Sequence, residues 1–334
     1  MPRAAQSVTI VIPNFNDWES VGMLLTRLDQ VLLRAGVTAS VLVVDDASTD
    51  ALPPHWPRAE PLTALPIVDV LNLRSNVGHQ RAIALGLYHL HEFTATGAVV
   101  VMDGDGEDRP EDVPTLLAAF EQGCSSEVIF AARQKRMESV TFRFFYQLYR
   151  LLHLALTGVE VRVGNFSVLP RAALTRLMAV PDLWNHYAAA VYRARLPRRL
   201  VPLSRGSRLA GKSKMNFVGL VVHGVSAMSV FSDQVSARLL VASAGLTIVA
   251  VGLIALTAGV RLFTDWAVPG WATYTIGTLL VLVLQSLTFA LLFTFLVAHR
   301  RAAPGFIPLR DAPYYILSTT TLHAPTLATT GVDR

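Results

Sequence analysis

The N-terminal part of the chain alternates short apolar runs with amphipathic stretches, and the C-terminal part contains long uncharged stretches. The short runs are rich in Val and Ile, which is typical of strands buried on both faces of a sheet. Their alternation with helical patterns predicts an α/β domain with a mostly parallel sheet and helices on both faces. The predicted strands are Val8–Ile12, Val41–Val44, Ile67–Leu71, Val99–Val101 and Val128–Phe130.

Two stretches beyond Arg238 carry no charged residue, Leu239–Val260 and Ala272–Ala298. The 22 residues of the first would span about 33 Å as a helix, enough to cross a bilayer. Basic residues precede the first stretch and follow the second, which favours a cytoplasmic position for both termini. We therefore predict two transmembrane helices in an integral membrane protein, with a pair of buried core helices as the alternative.

Composition supports a membrane location, because 52% of the 334 residues are hydrophobic and only 16% are charged. The net charge of +5 is unevenly spread, since Arg193–Lys214 holds eight Lys or Arg and no acid. A second basic stretch, Arg133–Arg150, is interleaved with Phe and Tyr residues, which suits a membrane-surface helix facing anionic lipid headgroups. Few polar side chains remain to read bases, so we expect no nucleic-acid partner. The apolar stretch Phe217–Asp233 predicts an amphipathic helix in the membrane interface, with a packed core helix as the alternative. The run Val8–Ile12 is too short for a signal peptide.

Six acidic residues lie within ten positions after the strand predicted over Val99–Val101. The acids beside Pro110 suit the first turn of a helix. Asp103 and Asp105 fit that explanation less well, because they lie where the strand ends, the edge at which α/β sheets place their ligands. Clustered carboxylates repel one another unless a cation or solvent compensates them.

Polar loops also follow the first two predicted strands, with the sequences PNFND (13–17) and VVDDASTD (43–50). All three loops leave carboxyl ends of strands in one domain, so we expect them to line a single crevice. A hard divalent cation, Mg²⁺ or Mn²⁺, bound by carboxylates and substrate phosphates would compensate the clustered charge. The sequence therefore predicts a metal and nucleotide-diphosphate site.

Six motifs along the chain are VIPNFND, VVDDASTD, LNLRSNVGHQRAIALGL, VMDGDGEDRPED, AARQKRMES and SRGSRLAGKSKM. With them, essentially the whole chain resembles the polyprenyl-phosphate glycosyltransferases of glycosyltransferase family 2, relatives of dolichyl-phosphate mannose synthase with two C-terminal membrane helices. The resemblance implies a GT-A fold and inverting transfer of a sugar from a UDP- or GDP-sugar to polyprenyl phosphate. It also implies a homo-oligomer in the bacterial inner membrane with its catalytic domain in the cytoplasm.

The expected organisation has four parts. They are a GT-A catalytic domain over 1–215, an interfacial amphipathic helix over 216–237, two transmembrane helices over 239–260 and 272–298, and a cytoplasmic tail over 301–334.

Site residues follow from the same resemblance. Those implied for the nucleotide sugar are Pro13, Asn16, Asp17, Asp46, Asp103, Arg208, Lys212, Ser213 and Lys214. Those implied for the metal ion are Asp103, Asp105 and Glu107. Those implied for the reacting groups are Asp105, Asn165, Arg133 and Arg136, the two arginines meeting the lipid phosphate. The alternatives are that Asp17 caps a helix and that Lys212 and Lys214 are solvated. His79 is expected to be structural, near the start of a helix beside Gly78.

The chain departs from the family's pattern at three positions: Asp17 replaces Glu, Glu107 replaces Gln, and Asn165 replaces an Asp proposed as the catalytic base. Asn165 cannot accept a proton from the acceptor. A phosphate monoester has a second pKa of about 6, so its attacking oxygen is already unprotonated at neutral pH and needs no base. On the sequence alone, we therefore expect Asn165→Asp to change the rate by less than about tenfold.

Other classes of protein fit less well. A processive polysaccharide synthase would carry a Q-x-x-R-W motif, and a Rossmann oxidoreductase would carry G-x-G-x-x-G after a strand; the sequence has neither. An inactive membrane scaffold or a flippase-like transporter remains as an alternative, but uncharged spans offer no polar pathway. The presence of both Asp103 and Asp105 favours an active enzyme.

Overall fold

The computed structural model describes residues 7–54, 56, 62–123, 125–133, 147, 151–159, 163–210, 224–266, 268, 270–302 and 305–323. The chain divides into two compact units. The first, which we name the sheet unit, comprises Met1–Glu138, Val161–Val230 and Phe306–Arg334. The second, the helical unit, comprises Ser139–Glu160 and Phe231–Gly305.

The strands of the sheet unit form one sheet. Within the described residues they are β1 Val8–Asn14, β2 Ala39–Asp45, β3 Val68–Leu73, β4 Ala98–Val101, β5 Val128–Arg133, β6 Val163–Pro170, β7 Arg198–Leu203 and β8 Ile316–His323. Their order is β7-β5-β6-β4-β1-β2-β3-β8. The pairs β1–β2, β1–β4, β2–β3 and β5–β7 are parallel, whereas β4–β6, β5–β6 and β3–β8 are antiparallel.

All five predicted strands are present, and the prediction of an α/β fold with a mostly parallel sheet is confirmed. Strands β6, β7 and β8 are not among those predicted from the sequence. The side chains of β7 alternate between exposed and half-buried positions, and those of the Ser- and Thr-rich β8 are mostly exposed. Both strands lie at sheet edges, where the hydrophobic pattern that reveals a buried strand is weak.

Helices cover the sheet. Those of the sheet unit are α1 Trp18–Ala35, α2 His79–Phe93, α3 Val113–Gln122, α4 Arg171–Leu177, α5 Tyr187–Arg193 and, after the helical unit, α8 Pro308–Asp311. Helix α2 approaches the sheet closely at Gly86, where an added Cβ would lie 2.7 Å from a methyl group of Val44. A residue without a side chain is therefore needed at this contact.

The segment 305–323 belongs to the fold of the sheet unit. The sequence predicts a separate tail over residues 301–334, whereas β8 pairs with β3 as the eighth strand. Phe306 stacks on Trp184 with ring centroids 3.8 Å apart, and Tyr315 packs on the same ring at 4.9 Å. Isolated aromatic and Thr residues carry no periodic signal, so only their partners show that this segment is ordered.

The helical unit contains two long helices, α6 Ser232–Phe263 and α7 Trp271–Ala302, which include the two predicted spans. Both are long and apolar enough to cross a membrane, and their large apolar side chains are mostly exposed, which is unlike core helices. Ser286 Oγ lies 2.8 Å from Thr247 Oγ1 and donates to the Ser243 carbonyl at 2.7 Å, joining the helices. Part of the interfacial helix expected over 216–237 lies outside the described residues; residues 224–229 are helical.

Candidate active site

Three loops meet at the carboxyl ends of β1, β2 and β4, as the sequence predicts for neighbouring parallel strands. The β1 and β2 loops are joined through Asn16, whose backbone N–H donates to Ser48 Oγ at 2.8 Å. The Asn16 side-chain oxygen accepts from the N–H groups of Thr49 and Asp50 at 2.8 and 3.0 Å. Asn16 adopts a left-handed conformation with φ 51°, which Asn tolerates better than most residues. Its side chain therefore holds the two loops together.

Asp46 anchors the start of α2. Its two carboxylate oxygens accept from the N–H groups of Val77 and Gly78 at 2.7 and 2.8 Å, and the residue is buried. Burial raises the pKa of Asp46, although these two hydrogen bonds act in the opposite direction. The contacts indicate that Asp46 fixes the residues before His79.

The acidic loop after β4 is folded by its own carboxylates. Asp108 is buried and accepts from the Asp103 N–H at 2.9 Å, while Asp105 accepts from the Glu107 N–H at 2.9 Å. Burial raises the pKa of Asp105, and the neighbouring charge of Asp103 raises it further, whereas Arg208 lowers it. A positive charge near Asp103 and Asp105 would therefore stabilise their ionised forms.

A basic loop over residues 204–210 lies against the acidic loop. The Gly206 N–H donates to the Glu107 carbonyl at 2.8 Å, and the Leu209 N–H donates to the Asp105 carbonyl at 2.9 Å. Arg205 forms an ion pair with Glu107. The resemblance implies that Glu107 binds the metal. In the structure, the Glu107 carboxylate pairs with Arg205 instead and so joins the acidic and the basic loop.

Arg208 forms ion pairs with two carboxylates of the site. Its guanidinium lies 2.6 Å from Asp17 Oδ2 and 3.5 Å from Asp105 Oδ2. Asp17 is the N-cap residue of α1, but its carboxylate makes no capping bond to the helix backbone and instead accepts from Ser20 Oγ at 2.7 Å. Asp17 and Asp105 therefore share one guanidinium. The expected partners Lys212, Ser213 and Lys214 lie outside the described residues.

The site contains a polar cluster that the sequence analysis missed. His79 Nε2 lies 3.1 Å from Asp103 Oδ1 and 3.0 Å from Asn165 Nδ2, which also donates to Asp103 Oδ1 at 3.3 Å. Burial alone would lower the pKa of His79, but Asp103, followed by Asp108 and Asp105, raises it overall. The sequence predicts a structural role for His79. Its position directly after Gly78 in the NVGHQ motif is the feature of the sequence that could indicate its place in this cluster.

The donor chemistry fits a hard divalent cation at Asp103 and Asp105. In the part of the chain that the structure describes, no three His, Cys, Asp or Glu side chains converge as a metal-binding group. Mg²⁺ and Mn²⁺ need fewer protein ligands when substrate phosphates and water complete the coordination shell.

Two arginines, Arg133 and Arg136, are expected to contact the lipid phosphate. Arg133 is the last residue of β5, and Arg136 lies outside the described residues.

Comparisons with known proteins agree with this architecture. The sequence model of Glycosyl transferase family 2 matches residues 9–178. The uncharacterized glycosyltransferase YkcC of Bacillus subtilis (strain 168) is 24% identical over 282 residues, which are 81% of this chain and 83% of that protein. An undecaprenyl-phosphate 4-deoxy-4-formamido-L-arabinose transferase of Klebsiella pneumoniae is 26% identical over 65% of this chain and 64% of its own length.

Among solved structures, glucosyl-3-phosphoglycerate synthase from Mycobacterium tuberculosis is similar with a TM-score of 0.49 and 15% identity, over 70% of this chain and 80% of that one. The family match covers half of the chain and includes the β1, β2 and β4 loops. The chain therefore belongs to glycosyl transferase family 2 and is a glycosyltransferase.

Proposed function

We propose that this glycosyltransferase moves a sugar from a nucleotide-diphosphate sugar to a polyprenyl phosphate, with inversion at the anomeric carbon. The observation that carries the proposal is the position of Arg208 between Asp17 and Asp105, where the three loops meet. The carboxylates can bind a cation, and the guanidinium can bind a phosphate. Together, the bound cation and the guanidinium would stabilise the negative charge of a departing nucleoside diphosphate. The Klebsiella relative, named for undecaprenyl phosphate, supports a polyprenyl phosphate acceptor.

In the proposed reaction, an oxygen of the acceptor phosphate attacks the anomeric carbon. The bond from that carbon to the donor diphosphate breaks, and its electron pair leaves on the nucleoside diphosphate. Mg²⁺ or Mn²⁺ at Asp103 and Asp105 would supply Lewis-acid stabilisation of the leaving group. Arg208 would turn from the carboxylates to the diphosphate, and Arg133 and Arg136 would contact the lipid phosphate.

No general base is needed for this acceptor. The second pKa of a phosphate monoester is about 6, so the attacking oxygen is already unprotonated near pH 7. A hydroxyl acceptor would require a base near the reacting carbon. Asn165, which is buried beside Asp103, cannot serve as one. The side chain at position 165 therefore favours a phosphate over a hydroxyl acceptor.

The proposal is tested with the purified full chain, undecaprenyl phosphate and a panel of UDP- and GDP-sugars, with Mg²⁺ and Mn²⁺ assayed separately. We expect one sugar per lipid from one of these donors. Transfer only to a sugar or lipid hydroxyl would contradict the proposed acceptor. A polymeric product would favour the processive alternative, and absence of product with every donor would favour the inactive scaffold.

Arg208→Ala is expected to reduce kcat/KM for the donor about 100-fold, roughly 2.7 kcal/mol, because the diphosphate loses a charge-assisted contact. The matched control is Arg34→Ala, which removes the same charge from the exposed last turn of α1. Initial rates at varied donor concentration, with melting temperatures for both variants, measure the effect. Equal donor kinetics in the two variants would remove Arg208 from the donor site.

We further propose that the sheet unit and both chain termini are cytoplasmic, because basic residues lie outside the two spans. A reporter active only in the cytoplasm should work when fused after Arg334 and fail when inserted at Asp265, between α6 and α7. Reporters at the two positions with the reverse activities would place the nucleotide-sugar site on the wrong side of the membrane and contradict the proposal.

A further inference from the structure

A chain of hydrogen bonds leads from the Tyr187 backbone through the side chains of Gln80 and Asn165 to Asp103. In each bond the donor is on the Tyr187 side, because the chain begins at a backbone N–H. The Tyr187 N–H donates to Gln80 Oε1 at 2.8 Å. It belongs to the first turn of α5, where N–H groups have no partner within the helix. A backbone N–H can only donate, so the oxygen of the Gln80 amide must face Tyr187.

The other end of the Gln80 amide then determines how Asn165 is oriented. Gln80 Nε2 donates to Asn165 Oδ1 at 3.1 Å, so Asn165 must present its oxygen to Gln80. Its nitrogen Nδ2 is therefore directed at Asp103 Oδ1, 3.3 Å away. The Asp103 carboxylate can only accept, so it also requires the Asn165 nitrogen to face it. The Tyr187 N–H and the Asp103 carboxylate therefore favour the same orientation of the Gln80 and Asn165 amides.

The backbone of Asn165 is held from the same residue of α5. Ser167 Oγ donates to the Asn165 carbonyl at 2.8 Å and lies 2.7 Å from the hydroxyl of Tyr187. Tyr187 and Ser167 are completely buried, and Asn165 is nearly so. Tyr187 thus restrains the Asn165 side chain through Gln80 and its main chain through Ser167.

We infer that Gln80 is a positioning residue for sugar transfer, which orients the Asn165 amide as a hydrogen-bond donor to Asp103. The inference rests on the proposed function, since it assigns Asp103 to the donor-binding site. Asn165 then holds Asp103 Oδ1 beside His79 without adding a negative charge. This arrangement also explains why a neutral amide occupies position 165.

A carboxylate at position 165 is incompatible with this chain of bonds. In Asn165→Asp, one oxygen accepts from Gln80 and the other takes the place of Nδ2, where it lies about 3.3 Å from Asp103 Oδ1 and about 3.0 Å from His79 Nε2. The two carboxylates repel each other and compete for the same His79 nitrogen. The structure therefore changes the expectation drawn from sequence. Asn165→Asp is now expected to lower kcat more than tenfold, or about 1.4 kcal/mol of barrier.

The test is a double-mutant cycle between Gln80→Glu and Asn165→Ala in the full chain. Glu at position 80 still accepts from the Tyr187 N–H but cannot donate to Asn165, so the Asn165 amide reverses. We expect Gln80→Glu to lower kcat at least tenfold with less than a threefold change in donor KM. In the Asn165→Ala background, the same substitution should change kcat less than twofold, because no amide remains to be oriented.

Gln122→Glu, at the exposed end of α3, is the matched control and should leave kcat unchanged. Equal effects of Gln80→Glu in the wild type and in Asn165→Ala would overturn the inference. Gln80 would then only accept the hydrogen bond from the first turn of α5. The cycle is measured with whichever acceptor the wild-type protein uses. Absence of transfer to undecaprenyl phosphate would therefore contradict the proposed function without deciding the inference. Coupling of the two substitutions in the free energy of unfolding gives a second readout that needs no acceptor.

Discussion

Asp105→Asn is expected to lower kcat about a thousandfold, roughly 4 kcal/mol of barrier, with the melting temperature little changed. The substitution keeps the shape of the side chain but removes one of the two carboxylates proposed to hold Mg²⁺ or Mn²⁺. The leaving diphosphate would then lose most of its stabilisation by the cation. Initial rates at saturating donor and acceptor, for the purified full-length protein, measure the loss.

Two further measurements separate the loss of the metal from a general loss of charge. Glu121→Gln, at an exposed position of α3, removes one negative charge and should leave kcat within twofold. Mn²⁺ binding in the presence of UDP should weaken in Asp105→Asn and remain normal in this control. Full turnover in excess EDTA, or near-normal activity of Asp105→Asn, would contradict the assignment of Asp105 to the metal.

A chain that stops at Gly305 is expected to lose the stable fold of its sheet unit. Without β8, the N–H and C=O groups of β3 that pair with it would become an exposed sheet edge, which promotes aggregation. Trp184 would also lose its stacked partner Phe306 at 3.8 Å. The Arg74 N–H would lose its bond of 2.9 Å to the Tyr315 carbonyl, in the loop that precedes His79. Thermal unfolding and gel filtration in detergent measure the result.

A point substitution tests the same contact without shortening the chain. Phe306→Ala is expected to cost about 2–3 kcal/mol, somewhat less than a fully buried aromatic residue, because Phe306 is half-buried. The control is Leu317→Ala in β8, whose side chain is 59% exposed. If the truncated chain melted at the same temperature as the full chain, residues 306–323 would not be part of the fold.

Much of the fold could be predicted from the sequence because the signals that determine it are local. A run such as Val99–Val101 is apolar at every position, and that pattern alone indicates a buried strand. The spans within α6 and α7 follow from the absence of charge over a sufficient length. The meeting of the three loops follows from parallel strand order, since parallel neighbours end at the same edge.

The edge strands and the C-terminal segment could not be predicted in this way. β8 has exposed Ser and Thr side chains on much of its length, and its partner β3 precedes it by more than two hundred residues. A strand of this kind is stabilised mainly by backbone hydrogen bonds to its neighbour. No pattern of side chains within 316–323 reports that neighbour.

Within the candidate site, sequence by itself determined which chemical groups are available: clustered carboxylates after β4, a basic loop, and an amide at position 165. Only the tertiary structure decided what each group contacts. It paired Glu107 with Arg205, placed Arg208 between Asp17 and Asp105, and joined Gln80 to Asn165, 85 residues away. The physical reason is that a hydrogen bond needs a donor opposite an acceptor at about 3 Å. Residue type supplies the donor or the acceptor, but only the folded chain brings the partner to that distance.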